Sequence, residues 1–250
     1  MKNYVLVHGA WGNAREFDDV VKLLSSEENS VTTIDLPGHG ESHEPIEEVT
    51  MDAYVQRVID TINQINGKVI LVGHSLAGAV ISQAAELIPE DIEQLIYVAA
   101  MLPKTGDSPL SLMQSDTQGE LLPNIIFSED QSYATLSDKD VSNLFLHDID
   151  DKKKIAKLIP TFAMKQATQP FMAVAELSEE KFGSVPKYYI KARLDKVLTL
   201  SLQQQMISNW KVEQVVTLES GHFPLNSMPE RLVKAIRMSE NFAEKIIKAA

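Results

Sequence analysis

Lys68-Val69-Ile70-Leu71-Val72-Gly73-His74-Ser75-Leu76-Ala77-Gly78 decides how the rest of the chain is read. An unbroken apolar run stops at a glycine, a serine follows, and Val80-Ile81-Ser82-Gln83-Ala84-Ala85 continues as a helix-like segment. This is the pattern of a nucleophile elbow, in which a buried strand ends, one serine is held in a strained turn and a helix begins at once. Small residues are needed where that turn is crowded, and Gly73 and Ala77 flank Ser75 on its two sides. Ala77 departs from the usual Gly-x-Ser-x-Gly by one methyl group, which tightens the turn without forbidding it. Gly78 lets the new helix come close to the sheet. A bare match would also fit a strand-to-helix turn with an idle serine. Its place between a β-branched strand and a helix favours the elbow.

Upstream of the elbow, Tyr4-Val5-Leu6-Val7 is a continuous apolar run, as expected of a strand covered on both faces, and it stops at His8-Gly9-Ala10-Trp11-Gly12. Phe17, Val20, Val21 and Leu24 recur at helical spacing and predict a helix over residues 14–26. Val31 to Ile34 gives a second strand, which closes in the turn-rich segment Asp35 to Ser42. Thr50 can cap a helix carrying Met51, Tyr54, Val58, Ile62 and Ile65 on one stripe, with Asn66-Gly67 at its end.

Downstream, Gln94 to Ala99 reads as a fourth strand, and then the rhythm fails. From Pro103 to about Gly183 helical fragments alternate with loops. Ser137 can cap one bearing Val141, Leu144 and Phe145, and Asp150 or Asp151 another bearing Ile155 and Leu158. The sheet pattern resumes at Val185 to Ile190, followed by a loop containing Asp195 and a helix marked by Leu202, Met206 and Ile207. One more strand spans Val212 to Leu218. A final helix opens near Pro229 and carries Leu232, Val233, Ile236, Phe242 and Ile246. Strand and helix in alternation mean parallel strands with helices on both faces. The expected architecture is therefore α/β, a mostly parallel sheet of about six strands flanked by helices. Residues 1–104 and 184–250 form its core domain, and residues 105–183 a helical cap inserted after the fourth strand.

A chain of 250 residues with 44% hydrophobic and 23% charged residues has ordinary globular composition and can bury a large core. Its net charge of −12 argues against nucleic acid and anionic lipid as partners, because both demand a basic face. With no cysteine, thiolate catalysis, disulfides and cysteine-bound zinc are excluded. Met1-Lys2-Asn3 leads straight into the first strand, leaving no signal-peptide core, so a cytoplasmic protein is expected.

A serine hydroxyl is a poor nucleophile until a base takes its proton, and that base needs an acceptor to orient it. Of the six histidines, His222 follows the last predicted strand in a Gly-His turn, at the carboxyl end of the sheet. Asp195 follows the strand before it, so Ser75, Asp195 and His222 come in the order nucleophile, acid, base. Asp107, after the fourth strand, is a rival for the acid. Acyl transfer also needs backbone N–H groups aimed at the developing oxyanion. Leu76 follows the serine, and Ala10 lies in the small-residue loop after the first strand. His8 is expected to hydrogen-bond within that loop and His74 to support the elbow, while His39, His43 and His147 read as ordinary loop histidines. No His, Asp or Glu spacing suggests a metal, and no cofactor is required.

These motifs together resemble the α/β-hydrolases of the methylesterase and hydroxynitrile lyase group, known from plants and with bacterial esterase relatives. The likeness is carried by Val5-Leu6-Val7-His8-Gly9-Ala10, Val31 to Leu36, Gly73 to Gly78, and Gly221-His222 with the helix beyond it. It is weakest over residues 105–183. The resemblance implies Ser75, Asp195 and His222 as the triad and Ala10 and Leu76 as the oxyanion hole. The lyase branch typically has a threonine where Gly9 stands and a lysine where Phe223 stands, so the resemblance favours an esterase. The alternatives are a carbon–carbon lyase or hydrolase of the same fold, and a ligand receptor that does not turn over. The cap is rich in apolar side chains, among them Met113, Leu121 and Phe171, which points to a small apolar ester. Trp11, Met101, Phe127, Phe162 and Phe223 are assigned to the substrate-facing wall. The family likeness leaves monomer or homodimer open.

Overall fold

The computed structural model describes the backbone of residues 2–26 and 28–249 and the side chains of those up to residue 239. Phe242 and Ile246, expected on the last apolar stripe, lie outside the described side chains. Among the described residues nine strands follow one another as β1 (Lys2–Val7), β2 (Asn29–Ile34), β3 (Val69–His74), β4 (Ile92–Val98), β5 (Ile126–Phe127), β6 (Tyr133–Thr135), β7 (Gln166–Ala167), β8 (Lys187–Ala192) and β9 (Gln214–Leu218). Six of them form one sheet in the order β2-β1-β3-β4-β8-β9, and every neighbouring pair is parallel. The central strand β3 is buried at every position, and so are the last four residues of β1. That is why both read as unbroken apolar runs. The edge strands β2 and β9 are only partly buried, in keeping with the polar Asn29, Ser30, Thr32 and Thr33 of one and Gln214 and Thr217 of the other.

Helices α1 (Asp18–Leu24), α2 (Met51–Asn63) and α3 (Ala77–Leu87) connect the first strands. The helix expected over 14–26 begins as a tight 3₁₀ turn, Ala14–Phe17, because the Asn13 side chain accepts from the Arg15 N–H and caps that turn before α1 starts. Thr50 caps α2 by accepting from the Ala53 N–H, and the helix buries Met51, Tyr54, Val55, Val58, Ile59 and Ile62 on one face. Gly67, at φ 94°, makes the turn back to β3. From β1 the chain passes to β2 on one side and later to β3 on the other. The carboxyl ends of β1 and β3 therefore flank the crevice where open parallel sheets bind ligands.

Residues 99–186 form an insert between the adjacent strands β4 and β8. It holds short helices, as expected, and also a three-stranded antiparallel sheet in the order β5-β6-β7. Those strands are two or three residues long, too short to show alternation. Ser137 caps Asp138–Asp140, and the Val141, Leu144 and Phe145 stretch is a single wide π turn. Asp151, rather than Asp150, caps Lys152–Leu158, its carboxylate accepting from the N–H groups of Lys153 and Lys154. Among the described residues no helix is long and apolar enough to cross a membrane.

The approach of α3 to the sheet rests on Gly78, where an added Cβ would lie 2.1 Å from the Met101 carbonyl oxygen. Glycine to alanine inside a helix ordinarily gains about 1 kcal/mol. Here the clash with backbone outweighs it, by the roughly 1–3 kcal/mol typical of overpacking. Gly78→Ala is expected to lower the thermal unfolding midpoint, and a midpoint at or above that of the parent would refute the close approach.

Candidate active site

Ser75 sits between β3 and α3 at φ 54°, in the left-handed region that side chains other than glycine seldom adopt. Its N–H donates to the Val98 carbonyl at 3.3 Å, while its carbonyl accepts from the N–H of Gly78 at 3.1 Å and of Met101 at 2.9 Å. The end of β4 and the start of α3 thus fix it. On the β1 side, Gly9 is required, since a Cβ there would come within 2.7 Å of the Ser75 Cβ.

His222 follows β9, and its Nε2 lies 2.9 Å from Ser75 Oγ. Its Nδ1 lies 2.8 Å from Asp195 Oδ2. A carboxylate only accepts, so Nδ1 carries the proton and Nε2 is the lone-pair nitrogen facing the hydroxyl. The other Asp195 oxygen accepts from the N–H groups of Val197 at 2.8 Å and Leu198 at 3.0 Å. All three side chains are at least nine-tenths buried. The rival Asp107 instead turns to its own loop, where its carboxylate accepts from the Lys104 N–H.

Ser75 and His222 share a closed cavity of about 10 Å³, room for roughly one water molecule. Ala10, Leu76, Trp11, Met101 and Phe223 line it too. Neither the Ala10 nor the Leu76 N–H donates to a protein acceptor among the described residues. Two of the residues assigned to the substrate-facing wall do not line this cavity. Phe127 is half-exposed on β5 and lines an outer groove, away from the serine. Phe162 is buried behind the cavity, its ring packed edge-on against those of Phe145 and Phe223. Apolar residues in a stretch without periodicity carry no signal that separates packing from lining.

The remaining histidines lie outside this triad. His8 Nδ1 donates to the Gly9 carbonyl and its Nε2 accepts from the Leu36 N–H, and burial pushes its pKa well down. His39 is buried rather than loop-exposed, donating to the Gly12 carbonyl and bonded to the Tyr54 hydroxyl. His43 stays exposed. His147 is half-buried beside the Gly221 turn, where Asp148 accepts from the Gly221 N–H at 2.7 Å. His74 donates from Nε2 to the His222 carbonyl at 2.8 Å, which leaves its Nδ1 facing Glu16. Glu16 Oε2 is 3.7 Å from that nitrogen, in contact without a hydrogen bond, and Glu16 is buried above Gly12. Sequence reasoning missed Glu16 and Asp148. An acidic residue in an amphipathic turn and one in a polar loop are indistinguishable there from solvated carboxylates. Among the described residues no group of three or more His, Asp or Glu could hold a metal ion.

Comparison with known proteins agrees with this fold. A family model described as "Alpha/beta hydrolase family" matches residues 4–235. A pyrethroid hydrolase of Sphingobium wenxiniae is 31% identical over 242 residues, 93% of this chain and 85% of that protein. Putative methylesterase 11 of Arabidopsis thaliana, a chloroplastic protein, is 31% identical over 246 residues, and the match spans 94% of this chain and 63% of the longer plant protein. A crystal structure of a pyrethroid hydrolase superposes with a TM-score of 0.83 at 28% identity, covering 99% of both chains.

Burial raises the Glu16 pKa above the ordinary carboxylate value. The protonated form is then the one the fold prefers. Its contribution to stability is complete below about pH 4 and is lost as pH rises through the raised value. Glu16→Gln removes this titration. Thermal unfolding across pH 4–8 is expected to show the variant gaining on the parent as pH rises, and a pH-independent difference would contradict the assignment.

Proposed function

The chain belongs to the alpha/beta hydrolase family, and on that premise we propose that it is a serine carboxylesterase acting on small, largely apolar carboxylic esters. The observation that carries this reading is the unbroken chain from Ser75 Oγ through His222 to Asp195, at 2.9 and 2.8 Å, beside a cavity also lined by Ala10 and Leu76, whose backbone N–H groups have no protein acceptor among the described residues. In the proposed reaction, Ser75 Oγ attacks the ester carbonyl carbon as His222 Nε2 takes its proton. The negative charge moves to the carbonyl oxygen, which the N–H groups of Ala10 and Leu76 stabilise. Collapse breaks the bond to the alcohol oxygen, and His222 returns the proton to the leaving alcohol. Water then attacks the acyl-serine by the same route, releasing the carboxylic acid and restoring Ser75. Asp195 holds the imidazole tautomer. Residues 105–183 serve as the cap over this site.

Carbon–carbon lysis is disfavoured at two positions. Cleaving a cyanohydrin calls for polar groups to bind its hydroxyl and to stabilise the departing cyanide. Here Phe223 packs its ring against those of His74 and Phe145, and residue 9 has no room for a Cβ.

Ser75→Ala is expected to lower kcat on a p-nitrophenyl acyl ester by about 10⁴-fold or more and to abolish labelling by a fluorophosphonate. Asp195→Asn is expected to lower kcat by roughly 10³ to 10⁴, through loss of the correct tautomer. Asp107→Asn should leave it near the parent value. Turnover by Ser75→Ala protein would end the proposal, and collapse in Asp107→Asn with a normal Asp195→Asn would reassign the acid.

A further inference from the structure

A cavity of about 10 Å³ beside Ser75 admits no ester, so side chains must move before the proposed reaction can start. Its walls differ in how firmly they are held. Ala10, Leu76 and Met101 belong to loops at the ends of the parallel strands, and Phe145 is packed against Trp11, Phe162, His222 and Phe223. Met113 and Phe171 come from two short helices of the insert, Pro109–Ser115 and Gln169–Met172, that pack on each other. Methionine is unbranched with a flexible thioether, and the Phe171 ring meets only that of Trp11 among the described aromatic contacts, at 5.7 Å.

Those same two side chains also line a second, outer groove of about 540 Å³, a volume within the range of ligand sites. Its apolar wall includes Leu110, Leu122, Ile125, Phe127 and Met172, of which Phe127 is 49% and Met172 55% exposed. The rim is polar, and among the described residues lining it there is no cation and one charge, Asp130, whose carboxylate accepts from the hydroxyls of Ser128 and Ser132. Such a rim repels an anionic tail and leaves an uncharged one unopposed.

We propose that the outer groove seats the distal apolar part of an elongated, uncharged ester, and that Met113 and Phe171 are the gate whose rotation joins it to the Ser75 cavity. The proposal rests on the esterase reading and adds to it a substrate shape. The scissile group lies at Ser75, and the tail passes between the two helices into the groove.

The test uses two ester series, p-nitrophenyl esters of lengthening acyl chain and acetate esters of lengthening alcohol. Whichever series gains kcat/KM with length identifies the half of the substrate that lies in the groove. In that series Phe127→Asp is expected to lower the long-to-short ratio of kcat/KM at least tenfold, and Met113→Ala or Phe171→Ala to shift it by a similar factor. If a gate variant fails to fold, Phe127→Asp carries the test, since it changes a half-exposed side chain. No gain with length in either series, or a ratio unchanged within twofold in Phe127→Asp, overturns the proposal. Failure of the esterase reading looks different: no turnover of any ester and no fluorophosphonate label. The groove is then tested by binding alone, in Ser75→Ala protein carrying Trp210→Phe, so that Trp11 beside Phe171 is the only fluorophore of its kind. Titration with 2-decanone, an uncharged ketone with no bond to hydrolyse, is expected to give a saturable change in Trp11 emission that Phe127→Asp weakens about tenfold. Absence of a saturable change refutes the groove.

Discussion

Everything at the site depends on holding one serine backbone where serine does not go by itself. Left-handed φ for a side chain larger than hydrogen costs on the order of 1–3 kcal/mol and persists only where its surroundings over-determine it. Ser75 is over-determined from both sides, because β3 lies between β1 and β4. The strand ends beside it turn in the same manner: Trp11 beyond β1 has φ 57° and Ala99 directly after β4 has φ 43°. Three adjacent strand ends therefore curl together over one edge, and the absence of a side chain at Gly9, Gly73 and Gly78 lets them do so. At Gly73 a Cβ would press within 3.0 Å of the Ala77 backbone, and at Gly78 within 2.1 Å of the Met101 oxygen.

The imidazole is fixed by the same logic applied to polar atoms. Asp195 spends one oxygen on the N–H groups of its own loop and the other on His222, so the carboxylate is aimed before the histidine arrives. The backbone around His222 is tied to two further elements. His74, at the end of β3, donates to its carbonyl, and Asp148, in the insert, accepts from the Gly221 N–H. Behind His74 stands Glu16, a buried carboxyl whose charge the fold disfavours. Asp195, by contrast, is the carboxyl hydrogen-bonded to the His222 ring.

The amino acids announced the sheet and the elbow because both are written in local chemistry. Runs of β-branched residues mark strands buried on two faces, and small residues around a serine mark a crowded turn. The choice between Asp195 and Asp107 was not local. Both follow strands of one sheet, and β4 and β8 are neighbours, so both acids leave the same edge. Pairing decides it, since β9 carries His222 and lies against β8, not β4. In the insert, strands of two or three residues have no period to read, which hid the antiparallel sheet and left Phe127 and Phe162 indistinguishable. His39 looked like a loop histidine because its partners, Gly12 and Tyr54, come from distant elements.

How such a closed site opens follows from what holds the insert down. The Trp11 indole donates to the Ala134 carbonyl at 3.0 Å, and its backbone N–H donates to Gln166 Oε1 at 3.2 Å. The Gln166 amide in turn donates to the Tyr54 hydroxyl, which donates to His39, which donates to the Gly12 carbonyl. The circuit leaves the loop at Trp11 and returns to it at Gly12, enclosing the stretch next to Ala10. Swinging the insert away as a body would break the buried bonds that Ala134 and Gln166 make to Trp11 and Tyr54, each costing about 1–3 kcal/mol when left unmade, and would disturb the loop that carries the Ala10 N–H. Rotating two apolar side chains breaks no hydrogen bond at all. On that comparison, opening through Met113 and Phe171 keeps the oxyanion loop in place while the substrate enters, and hinge motion of the insert does not.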